Sequence, residues 1–320
     1  MKYNLSSFCL FFCLVFAAGC GNRQAVFQPR QFPSLKIPSV IASGDNSSVL
    51  EYVSYYFWDS FADTTEFYRS DSSFVNGVSK REVEQNFSIW VTSLESLELN
   101  AAYKAIIRMS ERIISVERKD STSNVFEFLG EMMEKYLYDP NSPVRNEDLY
   151  GKFASFMMDC SLMGQDQRER YKHDYQMCSL NKTGSVAADF VFSDSKGRQY
   201  SLYGIKAEYT LLFFTNPGCN ACRQIISVLE SKEKFCSLVN SHRLAVINIY
   251  IDDDLEQWYS HLEEYPQNWY NGYDPNYVIR TDVLYNVRAI PSLYLLDSSK
   301  RVILKDAPEN KVLSLIEDLI

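Results

Sequence analysis

Histidine is nearly missing from this chain: three in 320 residues, at His173, His242 and His261, far apart from one another. One Cys-x-x-Cys pair is present, at Cys219 and Cys222, with no second pair and no neighbouring His pair. A structural zinc site normally needs four such ligands, so zinc is the weak reading of that pair. Positive charge is also scarce. The net charge is −9 and no basic cluster occurs, so nothing points to a nucleic-acid partner. The eight cysteines are too few and too scattered for a small domain stapled by disulfides. No apolar run reaches the roughly 20 residues needed to span a bilayer as a helix. What is abundant is aromatic and aliphatic side chains, with 22 Tyr and 20 Phe and 46% hydrophobic residues. A chain of this length and composition is expected to fold into about two packed domains.

The N-terminus reads as an export signal over residues 1–19. Lys2 is the positive start, Phe8 to Ala18 the short apolar stretch, and Ala17-Ala18-Gly19 the small residues before a cleavage. Cys20 follows directly, and the segment is similar to a bacterial lipobox, with Ala17 where Leu is usual. Lipidation of Cys20 is therefore expected, plain secretory cleavage being the alternative. Residues 20–47 contain Pro29, Pro33 and Pro38 and read as a tether. No acidic cluster follows Cys20, which favours a lipid-anchored protein facing the periplasm, on the inner leaflet of the outer membrane.

Residues 48–181 carry apolar residues at helical spacing, as in Leu50, Val53, Phe57 and Phe61. "KREVEQNFSIWVTSLESL", "LNAAYKAIIRMSERIISVERK" and "NVFEFLGEMMEKYLY" continue the pattern. Asp139-Pro140 and Ser142-Pro143 stop it, and Asn146 is placed to cap a further helix with acidic residues in its first turn. The last two helices carry Cys160 and Cys178, as two buried thiols or, less readily, as a bridge. From 184 to 320 the texture becomes β-hairpin, β-α-β, α, β-β, α. "GSVAADFVFSDSKGRQYSL" is the hairpin, and "YTLLFFT" and "RLAVINIYI" are buried strands. "QNWYNGYDPNY" reads as an aromatic, turn-rich insertion that either packs or shapes a substrate surface.

The Cys219-Asn220-Ala221-Cys222 segment stands between an apolar strand and an amphipathic helix whose buried face is expected to be Ala221, Ile225, Val228 and Leu229. A thiol at a helix N-terminus meets partial positive charge and free N–H groups, which stabilise a thiolate. Cys219 is therefore the nucleophile, and Cys222, one turn on, is placed to attack a mixed disulfide formed there. A redox couple is favoured over zinc and over a structural staple, since a loop this small gains little by chain entropy.

"FFTNPGCNACRQII" and "YNVRAIPSLYLLD" together resemble a thioredoxin fold of the TlpA/ResA-like kind. The segments "EKYLYDPNSPVRNEDLY" and "FWDSF" resemble the helical domain of unknown function that precedes such domains in exported lipoproteins of Gram-negative bacteria. The expected fold class is thus α plus α/β: a helical domain, then a thioredoxin-like domain with a central mixed sheet flanked by helices. The resemblance implies a cis Ile290-Pro291 bond beside Cys219, with residue 290 pairing its backbone to an extended substrate. It implies exported proteins with disulfides as substrates, a membrane thiol donor of electrons, membrane attachment through the N-terminal lipid, and no cofactor beyond the dithiol. TlpA/ResA-like proteins are mostly reductants.

Four departures from the pattern stand out. Gly218 replaces the Trp before the first Cys, and Asn220-Ala221 replaces Gly-Pro. Phe213 and Ile225 occupy the two positions where relatives carry a proton-accepting acid. Asp252 and Asp253 are then candidates for that task, or simply for a helix cap. Thr215 is four residues before Cys219, so the peroxiredoxin spacing is not matched. The alternative function is a binding lipoprotein on a thioredoxin scaffold with weak redox activity.

Overall fold

The computed structural model describes residues 29–66 and 68–318. The expected signal and the lipidation residue Cys20 lie outside the described residues.

The first half is helical: α1 (Ser39–Ala42), α2 (Asn46–Tyr56), α3 (Lys80–Leu94), α4 (Leu99–Lys119), α5 (Val125–Met133), α6 (Glu147–Met157) and α7 (Gln165–Cys178). A π-turn, Glu134–Tyr138, continues α5. Helix α4 buries Ala102, Ala105, Ile106, Met109 and Ile113 at three- and four-residue intervals, the stripe its sequence shows. Around it the aromatics interlock. Trp58, 2% exposed, meets Phe61 and Trp90 edge-on. Asn146 caps α6 as expected, its Oδ1 accepting from Leu149 N at 3.1 Å. Two features were not expected. Residues 74–79 form a small hairpin, β1 (Phe74–Val75) and β2 (Val78–Ser79). The segment read as tether is docked from Arg30 onward. Arg30 donates to the carbonyls of Asn76 (2.7 Å) and Phe61 (2.8 Å), and the Phe32 ring stacks on Phe61 at 5.2 Å. Proline spacing excludes a helix there but does not reveal a groove waiting 30 to 50 residues away.

One ion cluster ties α4 to the turn after α2. Asp59 Oδ1 accepts from Arg108 Nε (2.9 Å) and Arg112 Nε (3.0 Å), while its Oδ2 meets the Nη2 of Arg108 and Arg112 at 2.5 and 2.9 Å. Burial opposes ionisation of Asp59, but the hydrogen bonds from Arg112 and Arg108 outweigh it and hold the carboxyl below its ordinary value. A depressed folded value adds stability that is present at neutral pH and lost as pH falls through it, below about 4. Asp59→Asn is expected to cost about 2 kcal/mol at pH 7 and much less at pH 3. Urea unfolding at both pH values measures this; equal losses at the two would contradict it.

The second half is a seven-stranded sheet in the order β4-β3-β7-β6-β5-β8-β9. Its strands are β3 (Val191–Asp194), β4 (Gln199–Ser201), β5 (Tyr209–Phe214), β6 (Leu244–Tyr250), β7 (Tyr270–Tyr273), β8 (Ser292–Asp297) and β9 (Val302–Leu304). Strands β5, β6 and β7 run parallel; β8, β9, β3 and β4 are antiparallel to their neighbours. Central strands are covered on both faces, which is why β5 and β6 read as unbroken apolar runs. Leu211 and Phe213 point to the face bearing α8 (Asn220–Glu230), α9 (Glu233–Asn240), α10 (Leu255–Ser260) and α12 (Glu309–Asp318). Leu212 and Phe214 point to the other, with Phe190, Phe192 and Ile279 of α11 (Val278–Thr281).

The hairpin β3–β4 is where it was expected. The aromatic insertion is corrected: residues 270–273 are strand β7, paired with β6 through Ile247↔Tyr270 and Tyr250↔Tyr273. The turn-rich reading fails at Gly272 in particular. That residue is glycine because a Cβ there would lie 2.6 Å from the Phe192 ring and 2.9 Å from Ser193 O of β3. Trp269 is buried against Phe235, so it packs. Helix α9 had also been missed.

Candidate functional site

Strand β5 delivers the chain through Thr215-Asn216-Pro217-Gly218 to α8. Gly218 turns it with φ +70°, a left-handed backbone that a tryptophan would adopt only with strain, and a Cβ there would meet open space. Cys219 is the N-cap of α8: its Sγ accepts from Cys222 N at 3.1 Å. The two cysteines are joined, with an S–S distance of 2.34 Å. They are unequal. Cys219 is half-buried, whereas Cys222 is 1% exposed within the cluster of Leu211, Phe213 and Leu293. The buried face of α8 is Cys222, Ile225, Ile226 and Leu229; Ala221 and Val228, expected there, are exposed. A helix with Cys222 and Leu229 inward, seven residues apart, turns Ala221 and Val228 outward together.

Ile290 and Pro291 lie at the entry to β8, and the peptide between them is cis. Register pairs Ser292 with Phe214, so the Pro291 loop stands at the same end of the sheet as the cysteine loop. Ile290 and Cys219 pack against the same apolar cluster. Among the described residues no hydrogen bond involves the backbone of Ile290.

Phe213 is fully buried and Ile225 is 7% exposed, so no acid stands at either position beneath the pair. The same face of the sheet carries neutral polar groups instead. Thr215 Oγ1 donates to Asn248 Oδ1 (2.5 Å), Asn248 Nδ2 to Asn271 Oδ1 (3.0 Å) and Asn271 Nδ2 to Pro266 O (2.9 Å). Sequence reading passed over this row; its signal was a lone Asn248 inside an apolar strand. Asp252 holds the cysteine loop by accepting from Asn216 Nδ2 at 2.8 Å, and it pairs with Arg280. Asp254, not Asp252 or Asp253, caps α10. Cys160 and Cys178 are separate buried thiols, and burial pushes the Cys178 thiol well up. Among the described residues no group of three His, Cys, Asp or Glu could hold a metal ion, and no helix is long and apolar enough to cross a membrane.

A strand–CxxC–helix unit facing a cis-proline loop, carried behind a helical domain, defines a thioredoxin-like protein. Family models agree: "Thioredoxin-like" matches residues 207–302 and "Domain of unknown function (DUF5106)" matches residues 16–181. The chain belongs to this DUF5106 family, in the form that carries a thioredoxin-like domain at its C-terminus. A crystal structure of a thioredoxin-like protein from Bacteroides caccae is similar over 92% of this chain and 100% of that one, at 31% identity and a TM-score of 0.79. The C-terminal domain of an uncharacterized Bacteroides fragilis protein is 41% identical over 43% of this chain and 98% of its own, with a TM-score of 0.42. The thioredoxin domain of a thiol-disulfide oxidoreductase from Bacteroides vulgatus is 24% identical over 42% of this chain and 98% of its own, with a TM-score of 0.37. No curated protein matches the chain.

Proposed function

We propose that this protein is a thiol–disulfide oxidoreductase, tethered to the membrane by a lipid on Cys20 and facing the periplasm, that reduces disulfides in exported proteins. The asymmetry of the pair carries the reading: Cys219 is half-buried at a helix N-cap with an N–H on its sulfur, and Cys222 is fully buried behind it. In the reduced protein the Cys219 thiolate attacks one sulfur of the substrate disulfide. A mixed disulfide forms and the first substrate thiolate leaves. Cys222 then gives up its proton and attacks Cys219 Sγ. The Cys219–Cys222 disulfide forms, and the second substrate thiolate leaves with the pair's two electrons. The periplasm is kept oxidising, so a dithiol donor at the membrane must reduce the pair again for each cycle. Ile290, with its backbone free beside Cys219, is the pairing edge for an extended substrate.

The surroundings of Cys222 bear on where its proton goes. With Phe213 and Ile225 in place of acids, its proton leaves to solvent or substrate rather than to a fixed carboxylate. The test is titration of the pair against glutathione, with insulin reduction driven by a dithiol. A reversible two-electron couple and catalysed reduction are expected. A pair that never exchanges with glutathione leaves the alternative, a binding protein on this scaffold. Cys20→Ser is expected to move the protein from the membrane fraction to the soluble one; unchanged fractionation would remove the tether from the proposal.

A further inference from the structure

The loop that carries Ile290-Pro291 has little backbone bonding of its own. Between Tyr285 and Ser292 the backbone contributes Val287 N to Tyr285 O at 3.0 Å. Side chains hold it, and the chief one comes from the other domain. Glu147, on the first turn of α6 and 2% exposed, accepts from Asn286 Nδ2 (2.9 Å) and Arg288 Nε (2.8 Å) through Oε1. Its Oε2 lies 2.8 Å from Lys305 Nζ. The Arg288 guanidinium also meets Asp306 Oδ2 at 3.0 Å and lies 4.2 Å from the Tyr138 ring centroid. Asp306 Oδ1 accepts from Ser292 Oγ at 2.7 Å, and its carbonyl accepts from Arg145 Nε of the helical domain at 2.8 Å. The loop is thus clamped two residues before Ile290 and directly after Pro291. Both clamps end on charged groups that the helical domain supplies or contacts.

A charge this deep is retained only with several partners, and removing one leaves the others uncompensated. Such a cluster is a costly way to join two domains but a stiff one, since each group has a fixed set of bonds. We propose that Glu147 is a positioning residue for substrate: through Asn286 and Arg288 it holds the Ile290-Pro291 loop against the cysteine loop. The helical domain thereby sets the surface on which an extended disulfide-bearing polypeptide is bound. This rests on the oxidoreductase reading for its consequence, though not for its geometry. A small disulfide needs only the Cys219 sulfur, so it is indifferent to the loop. An extended polypeptide must pair along it.

The test uses the full chain and compares Glu147→Gln, Glu147→Asp and Arg288→Lys with the parent. Amide hydrogen exchange at Val287, the loop amide bonded to Tyr285 O, is expected to quicken about tenfold in Glu147→Gln, with α8 unchanged. The KM for a disulfide-bearing peptide is expected to rise about tenfold, while the rate with a small aromatic disulfide and the equilibrium with glutathione stay put. Glu147→Asp, which keeps the charge, should recover most of both effects. If Glu147→Gln does not fold, Arg288→Lys, which keeps the charge but loses the planar fork, takes the same measurements. Unchanged exchange at Val287, or peptide and small disulfide slowing together, overturns the proposal. A parent protein inert toward every disulfide sinks the oxidoreductase reading alone, because the exchange rates still decide the anchoring.

Discussion

Cys222→Ser is expected to leave client proteins covalently attached to Cys219, while Cys219→Ser abolishes exchange altogether. The difference follows from placement. Cys219 is half-buried at the helix N-cap and its sulfur is the one a substrate reaches. Cys222 is 1% exposed and reaches only Cys219. Serine at 222 removes the attack that releases the mixed disulfide, so the adduct lives until an outside thiol arrives. Serine at 219 removes the nucleophile, and buried Cys222 does not replace it. The expected loss of insulin reduction is on the order of a thousandfold or more in either variant, since an alkoxide at neutral pH is no substitute for a thiolate. Non-reducing gels of envelope extracts read the outcome: adducts with Cys222→Ser, none with Cys219→Ser. Absence of adducts in both, with the parent also inactive on insulin, would falsify the enzyme reading.

The cysteine site was legible because its signals are local. Apolar β5, the CxxC and an amphipathic helix lie within about twenty consecutive residues, and the Ile290-Pro291 segment leads into an equally apolar β8. The missing pieces are those whose partners are distant in sequence. Glu147 was read as a first-turn acid stabilising the helix dipole, as Asp148 beside it can be. Nothing in "NEDLY" shows that Glu147 turns inward to meet Asn286 and Arg288, 139 and 141 residues away. Arg30 and Phe32 likewise sit in a proline-spaced segment whose docking depends on Asn76 and Phe61. Strand β7 was hidden by Gly272, a residue that marks a turn in isolation and a close strand approach in the sheet. On α8 the residues Ala221, Ile225, Val228 and Leu229 share one face by spacing, but burial is rotated from it to centre on Cys222, Ile225, Ile226 and Leu229, a difference set by how the helix docks on the sheet. The Thr215–Asn248–Asn271 row was visible as a polar residue in an apolar strand, and its chemistry becomes plain only when β6 and β7 are paired.

Lys305→Met is expected to be the most destabilising single change at the domain junction. The ammonium donates to Cys178 O at 2.8 Å and Leu180 O at 2.6 Å, and it pairs with the charge on Glu147 Oε2 at 2.8 Å. Its side chain is 2% exposed, so water does not stand in for any of them. Two of the partners are carbonyls at the C-terminal end of α7, the negative end of that helix, which favours a cation there. The cluster holds three cations, Arg145, Arg288 and Lys305, against two carboxylates, Glu147 and Asp306. Those carbonyls offset the surplus positive charge. Methionine fills the same length without a donor. It strands two buried carbonyls and leaves one oxygen of Glu147 without its cation, a loss of about 3–5 kcal/mol. Denaturant unfolding at pH 7 measures it, and hydrogen exchange shows where it falls. Protection should drop first at residues 178–180 and 305–307, on the two sides of the junction, before either domain core. The double variant Glu147→Met/Lys305→Met is expected to recover part of the loss, because a pair removed together leaves fewer groups unpaired than either one alone. If the double variant is as unstable as the sum of its single changes, the two side chains are not coupled. Glu147 would then be held by Asn286 and Arg288 alone.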